Sequence, residues 1–291
     1  MNKKMKIAVT GATGMLGGQL IRELEGGHTA IPFPSSRELD LADLAAVRKF
    51  ISGQAPDMIV HLAGARDLDP VELNPPLGWN SNYLATHNIA LAARESGCAL
   101  CYSSTDAVFP GEGVFYEYDT PGPISIYGRS KYAGEVVIRE KLERYFILRV
   151  PWLLGLTGRP ERNYLLGVFE KARQGVPIAA AGDQITSACA IRDVARAFAA
   201  IIATEHWGTY HVSSEPPASR AGVVKTALEM AGFDPALVDE QTRYEMKRPA
   251  ARAGYTVLRS LLLKPVFGLE LPSWKIGLRE DIEELKKQGI I

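Results

Sequence analysis

The run Gly11-x-x-Gly14-x-x-Gly17, set between the apolar stretch Met5–Thr10 and the helical pattern 14–24, constrains the fold more than any other part of this chain. Glycines at this spacing let a strand turn sharply into a helix and let another backbone or a phosphate come close. The helix N-terminus behind the turn supplies N–H donors and positive potential. A purely structural turn needs the same glycines; the strand–turn–helix context is what points to nucleotide binding.

Short apolar runs alternate with helical patterns through the rest of the first half, the signature of βα units around a parallel sheet. Strands are expected at 5–10, 29–33, 58–62, 99–104 and 145–150, and helices at 14–24, 43–50, 82–95 and from Tyr127 onward, after a Gly/Pro-rich connection over 111–125. Beyond Pro151 the alternation breaks down, with helices expected at 165–173, 191–204, 221–231 and 273–287 and a strand at 209–213. The expected architecture is α/β: a Rossmann-type doubly wound parallel sheet with a smaller C-terminal α/β substrate domain. Residues 1–153 form the dinucleotide-binding part and residues 154–291 mainly the substrate part, with segments returning to the Rossmann core.

The chain has 291 residues with 33 basic and 33 acidic side chains, so no general electrostatic grip on nucleic acid or membrane is expected. Cys98-Ala-Leu-Cys101 has CxxC spacing but lies in an apolar run with no second pair or nearby histidine, so it reads as core and no metal site is expected. Neither a secretory leader nor a spanning segment is read, which makes the cytoplasm the default.

Where a NAD-binding site places an acid at the end of the second strand, this chain has Ile31-Pro-Phe-Pro-Ser-Ser-Arg37. Ser35, Ser36 and Arg37 can receive a 2′-phosphate, which favours NADP(H) or dual use with NAD(H), although Arg37 equally suits a solvated loop. Ser103, Ser104 and Thr105 lie at a strand's carboxyl end, where open α/β sheets bind ligands. Tyr127 and Lys131, four apart, share one helix face. That face can carry a phenol whose proton moves to or from a substrate oxygen beside a cation. An ordinary amphipathic helix has the same spacing. Arg149 is open between cofactor contact and a structural ion pair.

Together, Thr10-Gly-Ala-Thr-Gly-Met-Leu-Gly17, Ser104-Thr-Asp-Ala-Val-Phe109, Tyr127-Gly-Arg-Ser-Lys131, Arg149-Val-Pro-Trp152, Gly182-Asp-Gln184 and Leu271-Pro-Ser-Trp274 resemble the extended short-chain dehydrogenase/reductase superfamily. Within it the chain is most similar to the dTDP-4-dehydrorhamnose reductase branch of sugar-nucleotide enzymes. The resemblance implies Thr105, Tyr127 and Lys131 as the catalytic set, with Lys131 also biasing Tyr127 toward phenolate. It implies Gly11, Thr13, Gly14, Met15, Leu16 and Gly17 around a pyrophosphate and Asp40 and Leu41 near adenine. Ala63, Gly64 and Ala65 would lie along the ribose, with Ser103, Ser104, Val150 and Trp152 also on the cofactor. Thr105, Asp106, Val108, Phe109, Trp152 and Arg248 are the expected substrate contacts.

The second half departs from the branch. Ile185-Thr-Ser-Ala-Cys189 stands where a Gly-x-Pro-Thr-type segment is usual, Arg248-Pro-Ala-Ala-Arg-Ala253 where Asn-Ser follows Arg-Pro, and Ser219-Arg220 where an aromatic is common. The implied activity is reduction of a keto group on a nucleotide-activated deoxysugar. A nucleotide-sugar epimerase and a non-catalytic NADP(H)-binding regulatory subunit are the alternatives. A homodimer through the helices around 84–93 and 132–142 is one expectation; the same apolar residues also suit an ordinary core.

Overall fold

The computed structural model describes residues 4–156 and 163–291. Met1 to Lys3 of the basic N-terminal run, and residues 157–162 of the expected substrate part, lie outside the described residues. The first half runs β1 (Lys6–Thr10), α1 (Met15–Leu24), β2 (Thr29–Pro32), α2 (Leu44–Gln54), β3 (Met58–His61), α3 (Leu68–Leu73) and α4 (Pro75–Gly78). A π-helical segment, Trp79–Leu84, leads into α5 (Ala85–Ser96), followed by β4 (Ala99–Thr105), β5 (Glu112–Phe115), α6 (Ile126–Lys141), β6 (Tyr145–Val150) and β7 (Trp152–Leu154). The second half contains α7 (Tyr164–Arg173), β8 (Ile178–Ala181), β9 (Ile185–Thr186), β10 (Ala188–Ala190), α8 (Ile191–Ile202), β11 (Gly208–His211), β12 (Ala218–Ser219) and α9 (Arg220–Ala231). It ends with β13 (Val238–Gln241), β14 (Tyr255–Leu258), α10 (Leu263–Phe267) and α11 (Trp274–Lys287).

A six-stranded parallel sheet in the order β11-β6-β4-β3-β1-β2 forms the centre, as the βα alternation predicts. The chain leaves β1 toward β2 and returns on the other side to β3, so the loops after β1 and β3 diverge at a switch point. Successive strand residues feed opposite faces. Ile7 and Val9 pack with α1 and α8, whereas Ala8 packs with α2, α5 and α6. Each such buried aliphatic side chain contributes about 1.5–3 kcal/mol. Cys98 belongs to the second cluster and Cys101 to the first, so the two thiols of the CxxC spacing are core side chains on opposite faces.

Asp43 caps α2 as its sequence predicts, its carboxylate accepting from Ala45 N at 2.9 Å and Ala46 N at 3.1 Å. Two segments of the second half reach the central sheet: β11 pairs with β6, and α8 packs on the face carrying α1. The remaining strands form small sheets, β12-β9-β14-β5, β10-β7 and β13-β8, around a cluster built from α7, α9 and α11. Strand β5, hidden in the Gly/Pro-rich connection, pairs with β14 from almost the other end of the chain.

Helix α6 is fixed to the sheet by Glu135, which is fully buried. Its carboxylate accepts from Ser104 Oγ of β4 at 2.5 Å, from Arg149 Nε and Nη2 of β6 at 3.0 and 2.8 Å, and from Arg139 at 3.2 Å. Arg149 is therefore a structural ion-pair residue. Burial alone would raise the Glu135 pKa, but Arg149 and Ser104 hold it below the usual range. Glu135→Leu leaves Arg149 charged in the core and should cost about 3–5 kcal/mol in urea denaturation. The double variant Glu135→Leu/Arg149→Met should recover most of that loss, and a single variant as stable as wild type would contradict this clamp.

Candidate active site

The turn after β1 closes with Gly14 N donating to Gly11 O at 2.9 Å, and Gly11 takes φ +65°. A Cβ on Gly17 would lie 2.2 Å from the Gly11 carbonyl oxygen, so only glycine lets α1 rise this close to its turn. Gly14 is the N-cap and offers no side chain to the first N–H groups of α1, which leaves them to a ligand.

Thr10 ties this turn to the loop after β3. Its hydroxyl accepts from Leu62 N and Ala63 N at 3.0 and 3.1 Å and meets His61 Nδ1 at 2.7 Å. His61 Nε2 lies 3.1 Å from Thr86 Oγ1, and burial, then Lys131, pulls the ring down to about 3, so it is neutral. Asn82, from the π-helical segment, donates to Ala65 O and Ser130 Oγ, both at 3.0 Å. Its buried Oδ1 has no partner among the described residues and sits where a Cβ on Gly64 would come to 2.6 Å. An uncapped helix N-terminus, an exposed glycine loop and an orphaned buried acceptor fit a dinucleotide laid across the switch point.

At the end of β2, Ser35 is engaged by Glu38, which accepts from Ser35 N at 2.9 Å and from Ser35 Oγ at 2.8 Å. Ser36 and Arg37 are exposed, Asp40 accepts from Ala42 N at 2.9 Å, and Leu41 is partly buried against the core.

Ser125 caps α6 by accepting from Gly128 N at 3.2 Å, which puts Tyr127 in the first turn and Lys131 one turn later. A Cβ on Gly128 would lie 2.1 Å from the Ala107 carbonyl oxygen, so glycine is what allows α6 to close on the strand end carrying Thr105. Desolvation pushes the half-buried Tyr127 phenol up to about 12, while a hydrogen bond with Thr105 acts in the opposite sense. Thr105 Oγ1 donates to Asp106 Oδ1 at 3.0 Å and accepts from Ala107 N at 3.2 Å.

Lys131 is buried one turn further along α6. Its Nζ donates to Ser103 O at 2.7 Å and lies 4.0 Å from the Tyr102 ring centroid. Burial lowers it to about 7, and the charges acting on Tyr127 come from Asp106, Arg66 and Asp67. The phenol is thus held protonated at neutral pH by its surroundings.

On the substrate side, Asp106 Oδ2 accepts from Thr186 Oγ1 at 2.9 Å, and burial raises its pKa. Trp152 stands 5.8 Å from Tyr164 in an edge contact and has the Arg220 guanidinium on its face. Arg248 lies in the same charge neighbourhood, acting on Tyr164, Arg220 and Arg252. Val108 and Phe109 differ from their expected role: they are 0% and 1% exposed in a core cluster with Leu258, leaving no surface for a substrate. Val150 is 6% exposed within the central core. The sequence reading missed Thr186, Arg220 and Asn82. It missed Glu135 as well, although its i+4 spacing from Lys131 puts it on the Tyr127 face.

Among the described residues, no group of three or more His, Cys, Asp or Glu is placed to hold a metal ion, and no helix is long and apolar enough to cross a membrane.

The chain is 32% identical over 286 residues to a dTDP-4-dehydrorhamnose reductase of Streptomyces griseus, covering 95% of this chain and 93% of that protein. It is 29% identical to the spore coat polysaccharide biosynthesis protein SpsK of Bacillus subtilis, covering 96% and 97%. The crystal structure of dTDP-4-dehydrorhamnose reductase from Bacillus anthracis in complex with NADP superposes with a TM-score of 0.89 at 32% identity, covering 97% of this chain and all of that one. The family model described as the RmlD substrate binding domain matches residues 5–287, and the chain belongs to that family.

Proposed function

We propose that this protein is a reductase of a keto group on a nucleotide-activated sugar, using NADP(H) and accepting NAD(H) as a second cofactor. What carries this reading is the placement of the Tyr127 phenol, in the first turn of α6 against Thr105 at the carboxyl end of β4. The N-terminal glycine turn and residues 1–153 would hold the dinucleotide, and residues 154–291 mainly the substrate, with α8 and β11 serving the core. The B. anthracis relative in complex with NADP supports the cofactor assignment, as do the exposed Ser36 and Arg37 at the β2 end.

The chemistry a bound nicotinamide supplies is the hydride that reaches the carbonyl carbon. The chain's own residues handle the oxygen. Thr105, whose hydroxyl donates to Asp106 and accepts from Ala107 N in the ligand-free chain, would turn its proton from Asp106 to the substrate carbonyl, and Tyr127 gives its proton to the oxygen as the C=O bond becomes C–O–H. A phenol pushed up to about 12 is a donor throughout the neutral range, which suits the reductive direction. Lys131, anchored at Ser103 O, would serve the ribose.

Tyr127→Phe should keep NADPH affinity while turnover falls by about two or more orders of magnitude. The readout is NADPH absorbance with a panel of 4-keto nucleotide sugars, and an unchanged rate removes Tyr127 from the chemistry. Arg37→Ala should weaken NADPH about tenfold and leave NADH unaffected in fluorescence titrations. Tighter binding of NADH than NADPH by wild type would defeat the 2′-phosphate reading. We also propose a homodimer through the outer side of α5 and α6, where Tyr83, Tyr132 and Val136 line a surface hollow. Light scattering should give twice the mass of one chain, and a monomer mass at micromolar concentration would refute it.

A further inference from the structure

The segment 185–189 is one of the places where this chain departs from the reductase branch, and it brings a hydroxyl to the carboxylate beside Thr105. Thr186 is buried in an inner strand of the small sheet β12-β9-β14-β5. It pairs with Ala218 on one side and Thr256 on the other, and Ile185 N donates to Gly254 O at 2.7 Å, so its backbone is held from both directions. The same sheet backs the turn after β4, where Leu258 of β14 packs with Val108 and Phe109. From that position the Thr186 hydroxyl donates to Asp106 Oδ2 at 2.9 Å.

Asp106 thus receives one hydroxyl on each oxygen, and the two differ in their other work. Thr105 donates to Oδ1 at 3.0 Å while its own oxygen accepts from Ala107 N at 3.2 Å. A hydroxyl has a single proton, which cannot serve Asp106 and a substrate carbonyl together. A carboxylate is the stronger acceptor, so Asp106 competes with the substrate for that proton. Thr186 acts on the other oxygen. Its donation, with the charge of Arg220, meets part of the demand of the carboxylate and stays in place when Thr105 turns.

We propose that Thr186 is a positioning residue for the reduction: by holding Asp106 through Oδ2, it weakens the hold of Oδ1 on Thr105 and frees the Thr105 proton for the substrate oxygen. The proposal rests on the reductase reading above. No covalent bond changes at Thr186 or Asp106; only the Thr105 hydroxyl rotates. Without the Thr186 hydroxyl the desolvated carboxylate depends on Thr105 and keeps its proton.

That defect carries its own pH signature. The charged and titratable groups acting on Asp106 or acted on by it are Arg220, Tyr127 of α6 and Cys189 of β10. Arg220 is charged at neutral pH, and Tyr127 and Cys189, both pushed up to about 12, are neutral there, so Asp106 is the member of this set that titrates on the acid side. Burial raises its pKa and the Thr186 hydroxyl opposes the rise, so losing Thr186 raises it further. Once protonated on Oδ1, the carboxyl donates to a lone pair of Thr105 Oγ1, and the Thr105 proton passes to the substrate. Turnover without Thr186 therefore recovers as pH falls, whereas a packing defect persists.

The test compares wild type, Thr186→Val and Thr186→Ser by NADPH absorbance with the 4-keto nucleotide sugars. Thr186→Val should lower kcat about tenfold at mildly alkaline pH, with a loss that shrinks on acidification. Its KM for the sugar and its NADPH affinity should stay near wild type, which also shows that it is folded. Thr186→Ser restores the donor and should restore kcat. In parallel, carbon NMR of aspartate-labelled, ligand-free protein follows the Asp106 carboxyl, assigned through Asp106→Asn; its midpoint should lie higher in Thr186→Val than in wild type. Wild-type kcat in Thr186→Val, an equal loss at every pH, an equal loss in Thr186→Ser, or an unshifted Asp106 midpoint would each overturn the proposal. Reduction of no sugar by wild type counts against the reductase reading, and the Asp106 midpoint then decides alone: a raised one sustains the hold of Thr186 on the carboxylate, an unchanged one overturns it.

Discussion

The Glu135 carboxylate is the contact on which the arrangement of the site depends. It is fully buried and takes hydrogen bonds from β4, β6 and its own helix. An ion pair in the core gains little net stability after desolvation, yet breaking it is costly, so its geometry is tightly enforced. Tyr127, Lys131 and Glu135 follow one another at intervals of four on one face of α6. Fixing Glu135 against Ser104 and Arg149 therefore sets the rotation of the helix and the direction from which Tyr127 meets Thr105. Gly128 completes the fit by letting the first turn close on the Ala107 carbonyl.

Burial supplies most of the electrostatic tuning. It pushes Tyr127 up to about 12, Lys131 down to about 7 and His61 down to about 3. A neutral His61 can bridge Thr10 and Thr86, joining the end of β1 to α5, where a charged ring would have had to be solvated. A protonated phenol beside Thr105 is poised to give up its proton. The same desolvation acts on Asp106, where the hydroxyls of Thr186 and Thr105 and the charge of Arg220 oppose it.

The sequence made the cofactor side legible because its signals are local. The spacing Gly11-x-x-Gly14-x-x-Gly17 lies within a single strand–turn–helix unit, and Asp43 announces α2 through its own capping bonds. The substrate side depends on contacts between distant segments. Strand β5 is four residues in a Gly/Pro-rich connection and exists through its pairing with β14. Val108 and Phe109 looked like ligand-facing residues after Thr105, but Leu258 comes from that same β14 to bury them. Arg220 carries no local mark of its placement, since its position over Trp152 follows from two strand pairings of two and three residues. Arg149 was ambiguous for a related reason: its partner Glu135 lies on a separate element, and only the packing of α6 on the sheet brings the two together.

The central claim is that the fold holds Tyr127 as a neutral proton donor. The direct measurement is a spectrophotometric titration of phenolate absorbance in the ligand-free protein, taken as the difference between wild type and Tyr127→Phe. The account predicts no Tyr127 phenolate through the neutral range and a midpoint near that of about 12 set by burial. A phenolate that appears near neutral pH in wild type and vanishes in the variant would contradict it.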